Sequence, residues 1–249
     1  MRSTHHPSEG PRTAVLLPGS GSDEVFVDAA LAAPLRAIGL TVHTPSVRPG
    51  AEVVRGYLAA LESAALAGPV LVGGISLGAQ VAARWAARRT DGAAAGLLLA
   101  LPAWTGQPGS APAAVAAAIT ADAVRRDGLA ATISTTRAQT PGWLGDELAR
   151  AWRRHGDGLA DSLDTAAATP GPTGAELAGL RVPVAVVGLC DDPVHPLSVA
   201  REWAELAPRS ALVSSTLAAL GRDRGTLGRA LALAWLRAST VDQRRGSAR

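Results

Sequence analysis

A serine between two glycines stands where an apolar run meets a helical pattern, at residues 74–78 (GISLG). This stretch fits the G-x-S-x-G pattern, in which a strand turns sharply into a helix and holds a nucleophilic serine in strained backbone. The preceding VLVGG has the composition of a buried strand, and the following LGAQVAARWA favours a helix whose positive end points at Ser76. This context favours a nucleophile over a plain glycine-rich turn between a strand and a helix.

A loop rich in glycine and serine, within residues 16–23 (LLPGSGSD), follows an earlier apolar run and leads into a helical pattern. A dinucleotide-binding loop would need a third glycine where Glu24 stands, and a P-loop would need a lysine, which the chain lacks. The loop is therefore interpreted as one that bares a backbone N–H beside the nucleophile, where it would bind an oxyanion. Capping of the next helix by Ser22 or Asp23 is compatible with that role.

Two aspartates and a histidine follow a later apolar run, within residues 186–196 (VVGLCDDPVHP). Ligands bind at the carboxyl ends of the strands in open α/β sheets, so Asp191 and Asp192 are both candidate acids. Their spacing alone does not choose between them. The alternative is a structural turn, because Asp-Pro is common just before a helix.

Short buried strands that alternate with helices would position these three segments. Nearly continuous apolar runs predict strands at residues 13–17, 40–44, 69–73, 95–101, 182–188 and 210–215. Patterns typical of helices lie between or after them, at residues 24–38, 51–67, 77–89, 197–206 and 225–238. The alternation predicts an α/β fold with a doubly wound, mostly parallel sheet of about six strands.

The stretch between the fourth and fifth strands differs from the rest of the chain. Residues 103–178 contain no predicted strand and about four helical patterns, at residues 111–126, 128–138, 142–154 and 158–168. This organisation predicts a helical cap that is inserted into a core formed by residues 13–102 and 179–238. The polar segments 1–12 and 239–249 are predicted to be disordered tails.

The composition limits the partners and the compartment. The 249 residues carry a net charge of +3, and all 24 basic residues are arginines; those near the C-terminus are interpreted as a solvated helix face rather than a nucleic-acid site. The N-terminus lacks a signal-peptide core, and no apolar run is long enough to span a membrane. Cys190 is the only cysteine, so no disulfide framework is expected. We therefore expect a cytoplasmic protein with a small-molecule substrate and no nucleic-acid partner, membrane partner, cofactor or metal; homo-oligomerisation stays open.

The segments LPGSGS, GISLG and GLCDDPVHP occur in this order, with a helical insertion before the last. Together they resemble the α/β-hydrolase superfamily over about residues 13–238, and are similar to uncharacterised bacterial members of it. The resemblance implies hydrolysis of an ester, thioester or amide through an acyl-enzyme, with Ser76 as the nucleophile. Asp192 matches the family's acid, which often stands in an Asp-Pro-x-x-Pro setting, and the backbone N–H groups of Ser20 and Leu77 would form the oxyanion hole.

The general base departs from the family's pattern. The family keeps its histidine in the loop after the last strand, but residues 217–225 (LAALGRDRG) contain none, and arginine does not deprotonate in proteins. His195, three residues beyond Asp192, is a candidate base that would face Ser76; a structural role at the next helix is the alternative. Losing the histidine of such a triad costs about 10⁶ in kcat, so the competing function is a catalytically silent fold that binds a small ligand or a partner.

Three further side chains are candidates for the surroundings of the site. His43, at the end of the second strand, is a weaker candidate base and a predicted substrate-binding residue. Trp104 is predicted to line the same pocket, with packing inside the cap as its alternative role. His155, at the end of a cap helix, is expected to be exposed.

Overall fold

The computed structural model describes residues 13–246, and six parallel strands form a sheet in that part of the chain. The strands are β1 (Thr13–Leu17), β2 (Thr41–His43), β3 (Val70–Ile75), β4 (Ala94–Ala100), β5 (Val184–Leu189) and β6 (Ser210–Ser215). They lie in the order β2-β1-β3-β4-β5-β6, and each neighbouring pair is parallel. The strand order reverses between β1 and β3, which is where open α/β sheets bind ligands. The predicted doubly wound, parallel sheet of about six strands is confirmed.

The central strands are buried on both faces because helices cover each side of the sheet. Every residue of β3 and of β5 is buried. Successive side chains of a strand point to opposite faces, so Leu17 packs in one core layer with Val72, while Leu16 packs in the other with Leu71. This two-sided burial explains why the strands read as continuous apolar runs rather than alternating ones.

Twelve α-helices occur in the described part of the chain. They are α1 (Glu24–Val27), α2 (Ala33–Ala37), α3 (Val53–Ala65), α4 (Leu77–Ala87), α5 (Pro112–Asp127), α6 (Leu129–Gln139), α7 (Gly142–His155), α8 (Leu159–Ala168), α9 (Gly174–Gly179), α10 (Leu197–Leu206), α11 (Leu217–Arg222) and α12 (Gly225–Gly246). A π-helical turn (Asp28–Ala32) joins α1 to α2. One face of the sheet is covered mainly by α3, α4 and α10, and the other by α12 and the α1–α2 segment. None of the helices in residues 13–246 is long and apolar enough to cross a membrane.

Residues 103–178, called the helical insertion below, connect β4 to β5. They contain α5 to α8 and most of α9, and each of the four helices expected there begins and ends within one residue of its predicted bounds. The insertion has a small apolar core of its own, formed by Ala117, Ala121, Ile133, Ala149, Ala151, Trp152, Leu159, Ala160 and Leu163. Its helices α7 and α8 contact the loop after β1 and the region of α3, and so lie at the edge of the sheet where the strands end.

Two short helices and one helix end differ from the expectation. α9 begins at a capping box formed by Thr173 and Glu176, and α11 begins after Thr216, whose side chain accepts from the Ala219 N–H. α12 extends to Gly246, so residues 239–246 are helical and the predicted disordered tail is wrong for them. Residues 1–12 and 247–249 lie outside the described residues, so the expectation for those segments stays a prediction.

Candidate active site

Ser76 stands at the apex of the turn between β3 and α4, with φ 54° and ψ −114°. A positive φ costs a non-glycine residue about 1–3 kcal/mol and persists only where the surrounding contacts enforce it. Here the Ser76 N–H donates to the Ala100 carbonyl at 3.0 Å, and the Ser76 carbonyl accepts from the Gln80 N–H at 3.0 Å. These contacts hold the strained serine between the end of β4 and the first turn of α4, with its side chain partly exposed.

The two glycines of the motif are required by the passage of β1 beside this turn. A Cβ on Gly74 would lie 2.1 Å from the Leu17 carbonyl oxygen, and a Cβ on Gly78 would lie 2.3 Å from the same oxygen. Both distances are far below van der Waals contact with a backbone atom. The spacing of GISLG therefore reflects how closely β1 packs against the turn that carries the serine.

The structure brings Ser76, His195 and Asp192 together in one hydrogen-bonded line. His195 Nε2 lies 2.9 Å from Ser76 Oγ, and His195 Nδ1 lies 2.9 Å from Asp192 Oδ2. With an ionised Asp192, the assignment that satisfies both contacts has Nδ1–H donating to the carboxylate and Nε2 accepting from the hydroxyl. This arrangement can take a proton from Ser76, which is the task of a general base.

The conformation of the loop after β5 turns the histidine back toward the serine. Asp192 Oδ1 accepts from the N–H groups of Val194 at 2.8 Å and of His195 at 3.2 Å. Burial raises the pKa of Asp192, but the hydrogen bond and charge of His195 together with these two N–H groups lower it more, so the pKa lies below its usual value. Asp192 is therefore ionised at neutral pH and able to stabilise an imidazolium.

Asp191 takes a different role from its neighbour. It is exposed, and its carboxylate accepts from the N–H groups of Leu217 and Ala218 at the start of α11. An anion at this place satisfies amide groups that lack a partner within the helix. Of the two acids that their spacing left open, Asp192, which the resemblance favoured, lies against His195, and Asp191 does not.

The loop after β1 (residues 18–23), called the β1 loop below, lies beside Ser76. A Cβ on Gly19 would lie 3.5 Å from Ser76 Cβ and 3.6 Å from the Ile75 carbonyl oxygen, which is ordinary van der Waals contact. Ser20 follows Gly19 directly, and Leu77 is the first residue of α4, where N–H groups have no acceptor within the helix. The segments that carry both predicted oxyanion-hole residues therefore adjoin Ser76.

Two of the other predicted residues lie away from this line. His43 is exposed at the end of β2, and β1 separates β2 from the strand that leads to Ser76, which is a lateral distance of about 10 Å. Trp104 is buried in a small apolar cluster with Ala103 and Ala114, against which Ala113 and Ala167 pack. Their roles in substrate binding stay predictions.

His155 is half-buried rather than exposed, so that expectation is wrong. Its Nε2 donates to the Ser22 carbonyl in the β1 loop at 2.9 Å, and burial lowers its pKa. The sequence offered no signal for this contact, because it depends on how α7 lies across the core. Among the described residues, no group of three or more His, Cys, Asp or Glu side chains is arranged to hold a metal ion.

No family model matches the chain, and no curated protein matches it. Solved structures do. A bromoperoxidase from Bacillus anthracis is 17% identical, with 92% of each chain covered and a TM-score of 0.69. A thermophilic esterase from Thermogutta terrifontis is 20% identical, with 95% of this chain and 91% of that chain covered and a TM-score of 0.60. An enol-lactonase from Burkholderia xenovorans LB400 is 18% identical, with 84% of each chain covered and a TM-score of 0.61. At these identities the likeness shows a shared fold.

Proposed function

We propose that this chain, which has the α/β-hydrolase fold, is a serine hydrolase that cleaves an ester, thioester or amide of a small molecule. The observation that carries the proposal is the hydrogen-bonded line from Ser76 through His195 to Asp192, with both contacts at 2.9 Å. Structural neighbours named as an esterase and an enol-lactonase support hydrolytic chemistry on this fold. A triad is recognised by its geometry and roles rather than by sequence position.

The proposed reaction proceeds through an acyl-enzyme. His195 Nε2 takes the hydroxyl proton as Ser76 Oγ attacks the substrate carbonyl, and the resulting oxyanion accepts hydrogen bonds from the N–H groups of Ser20 and Leu77. The imidazolium then gives its proton to the leaving group as the carbonyl reforms. A water molecule attacks the acyl-enzyme with His195 again as the base, which releases the acid and restores Ser76. Asp192 stabilises the imidazolium in both steps.

The base of this proposed triad comes from an atypical place. Its acid and its base stand three residues apart in one loop, whereas α11 occupies the segment after β6 in which the family keeps its histidine. The hypothesis of a catalytically silent fold rested on that missing histidine. A ring nitrogen 2.9 Å from Ser76 Oγ supports the enzyme over that alternative.

The helical insertion is proposed to act as a cap over the site. Its helix α7 donates hydrogen bonds to the β1 loop, through Trp152 to the Gly21 carbonyl and through His155 to the Ser22 carbonyl. A cover of this kind limits the substrate to a small molecule that enters between the insertion and the sheet. The cytoplasmic setting and the absence of a cofactor requirement belong to the same proposal.

Covalent labelling is the direct test of the nucleophile. A fluorophosphonate probe is expected to label wild-type protein at Ser76, as located by peptide mass spectrometry, and to leave Ser76→Ala unlabelled. Hydrolysis of p-nitrophenyl acetate is expected to be lost in Ser76→Ala and to fall by up to about 10⁶ in His195→Gln. Wild-type protein that neither reacts with the probe nor hydrolyses simple esters would refute the proposal, and turnover unchanged in His195→Gln would remove His195 from it.

A further inference from the structure

Helix α7 of the insertion binds three consecutive residues of the β1 loop. Trp152 Nε1 donates to the Gly21 carbonyl at 3.1 Å, and His155 Nε2 donates to the Ser22 carbonyl at 2.9 Å. The next residue of the loop, Asp23, accepts from Arg150 through both of its carboxylate oxygens, at 2.6 and 2.8 Å. The C-terminal half of α7 therefore holds the loop by two carbonyl groups and one carboxylate.

Asp23 makes the strongest of these attachments. Its side chain is 6% exposed and ties the loop to two elements at once, because it also accepts from the Phe26 N–H at 3.1 Å as the N-cap of α1. Arg154 adds a further ion pair, at 2.8 Å, with Asp23 Oδ2, the carboxylate oxygen that does not accept from Phe26. Bidentate contacts between a guanidinium and a carboxylate fix orientation as well as distance, and partial burial protects them from screening by salt.

The fit between the loop and α7 is close. A Cβ on Gly21 would lie 3.1 Å from Trp152 Nε1, so a larger residue there would push the indole away. The Trp152 side chain is itself buried in the apolar core of the insertion, which leaves it little freedom to follow a displaced loop. The position of Gly21 therefore depends on the position of α7.

Ser20 stands directly before these held residues and directly after Gly19, on which a Cβ would lie 3.5 Å from Ser76 Cβ. We infer that Arg150, Trp152 and His155 are positioning residues of the reaction: they hold the β1 loop so that the Ser20 N–H points at the oxyanion. In that arrangement the insertion completes the active site instead of only covering it. This inference rests on the proposed function, because it assigns the Ser20 N–H to a hydrolytic transition state.

The inference implies a specific kinetic signature. An oxyanion donor acts only when it lies about 2.7–3.1 Å from the developing charge, and removing one such donor costs about 10²–10³ in kcat. A loop displaced by about 1 Å loses a large part of that stabilisation. Because the contact forms only in the transition state, its loss lowers kcat while KM stays nearly unchanged.

Two variants and a matched control test this signature. Trp152→Phe removes the N–H donor to Gly21 and keeps an aromatic ring in the insertion core, and Arg150→Met removes the bidentate contact to Asp23. Ser162→Ala is the control, because its Oγ accepts from the Gly50 N–H at 2.6 Å and so joins the insertion to the core away from the β1 loop. For each protein, kcat and KM for p-nitrophenyl acetate, inhibition by phenylboronic acid and the melting temperature are measured.

Trp152→Phe and Arg150→Met are expected to lower kcat by about tenfold or more, with KM within about twofold of wild type. They are expected to weaken inhibition by phenylboronic acid, which forms a tetrahedral adduct on Ser76, by a similar factor. Ser162→Ala is expected to lower the melting temperature and to leave kcat and the inhibition unchanged. Arg150→Lys, which keeps one charged donor, is expected to recover part of kcat.

Two results would overturn the inference. The first is a wild-type kcat in folded Trp152→Phe and Arg150→Met, and the second is a kcat in Ser162→Ala that falls as far as in those variants. Labelling of wild-type protein by a fluorophosphonate separates this failure from a failure of the proposed function. If wild type is labelled and turns over while the α7 variants match it, only the positioning role is wrong.

Discussion

Neighbouring aspartates offer a matched pair for testing the acid of the proposed triad. Asp192→Asn replaces the carboxylate that contacts His195 Nδ1, whereas Asp191→Asn replaces the one that contacts the start of α11. An asparagine at position 192 still offers a side-chain oxygen to the N–H groups of Val194 and His195, so the loop is expected to keep its shape. What changes is the charge that faces the imidazole.

The size of the effect follows from the contact. In the proposed mechanism His195 becomes an imidazolium in the transition state. Its charge centre lies about 4 Å from that of Asp192, which is worth about 4 kcal/mol at an effective dielectric constant of about 20. Each 1.4 kcal/mol or so changes a rate about tenfold, so Asp192→Asn is expected to lower kcat by about 10³. A reversed histidine tautomer would increase the loss towards about 10⁴, the value for the corresponding change in a serine protease.

Steady-state kinetics with p-nitrophenyl acetate at pH 7 to 8 measures this loss, with circular dichroism to establish that each variant is folded. Asp191→Asn is expected to keep kcat within about twofold of wild type and to lose less than about 1 kcal/mol of stability, because asparagine can still accept at a helix N-terminus. Equal kcat values in the two variants, or a larger loss in Asp191→Asn, would refute the assignment of Asp192 as the acid.

Two further expectations concern the supports of the site. Gly78→Ala would place a Cβ 2.3 Å from the Leu17 carbonyl oxygen and is expected to lose about 1–3 kcal/mol of unfolding free energy, measured in urea. Gly142→Ala, with open space around it, is expected to be neutral. Equal stabilities of the two variants would contradict the packing argument. Burial raises the pKa of Asp23, but Arg150 and the Phe26 N–H lower it more, so the pKa lies below its usual value. The ionised carboxylate therefore stabilises the fold fully above about pH 4, and this stabilisation is lost as the pH falls through the folded-state pKa. Asp23→Asn is therefore expected to be less stable than wild type at pH 7, with a difference that shrinks in thermal melts below about pH 4; a difference that is independent of pH would argue against the ion pair.

The sheet could be predicted from the sequence because its strands are buried on both faces. β1 and β6 begin and end at the predicted residues, and the strand that leads to Ser76 differs only at its ends. α9 and α11 have six residues each, which is too short for a helical period to be recognised. The capping box of Thr173 and Glu176 was a readable signal for α9 that the periodicity did not supply.

The candidate site was predictable in its residue types and in the approach of His195 to Ser76, but not in its other contacts. Spacing alone does not show which way Asp191 and Asp192 leave the loop, and only the Asp-Pro-x-x-Pro setting of the resemblance favoured Asp192. The contacts of α7 with the β1 loop join residues more than 120 positions apart, such as Trp152 and Gly21. Such contacts follow from the docking of the insertion as a body, so no local pattern singles out Arg150 or predicts that His155 is half-buried.

The loop that holds both the proposed acid and the proposed base has a consequence for transplanting the proposed chemistry. The hydrogen bond between Asp192 and His195 closes a loop of four residues, so the entropy of bringing the two groups together is small and does not depend on distant packing. Within the proposed triad, one long-range alignment, between this tetrapeptide and Ser76, has to be met by the rest of the chain. A scaffold with a strained serine at a strand–helix turn would therefore need a single graft, of Asp-Pro-Val-His and its flanking turn, to receive both partners together.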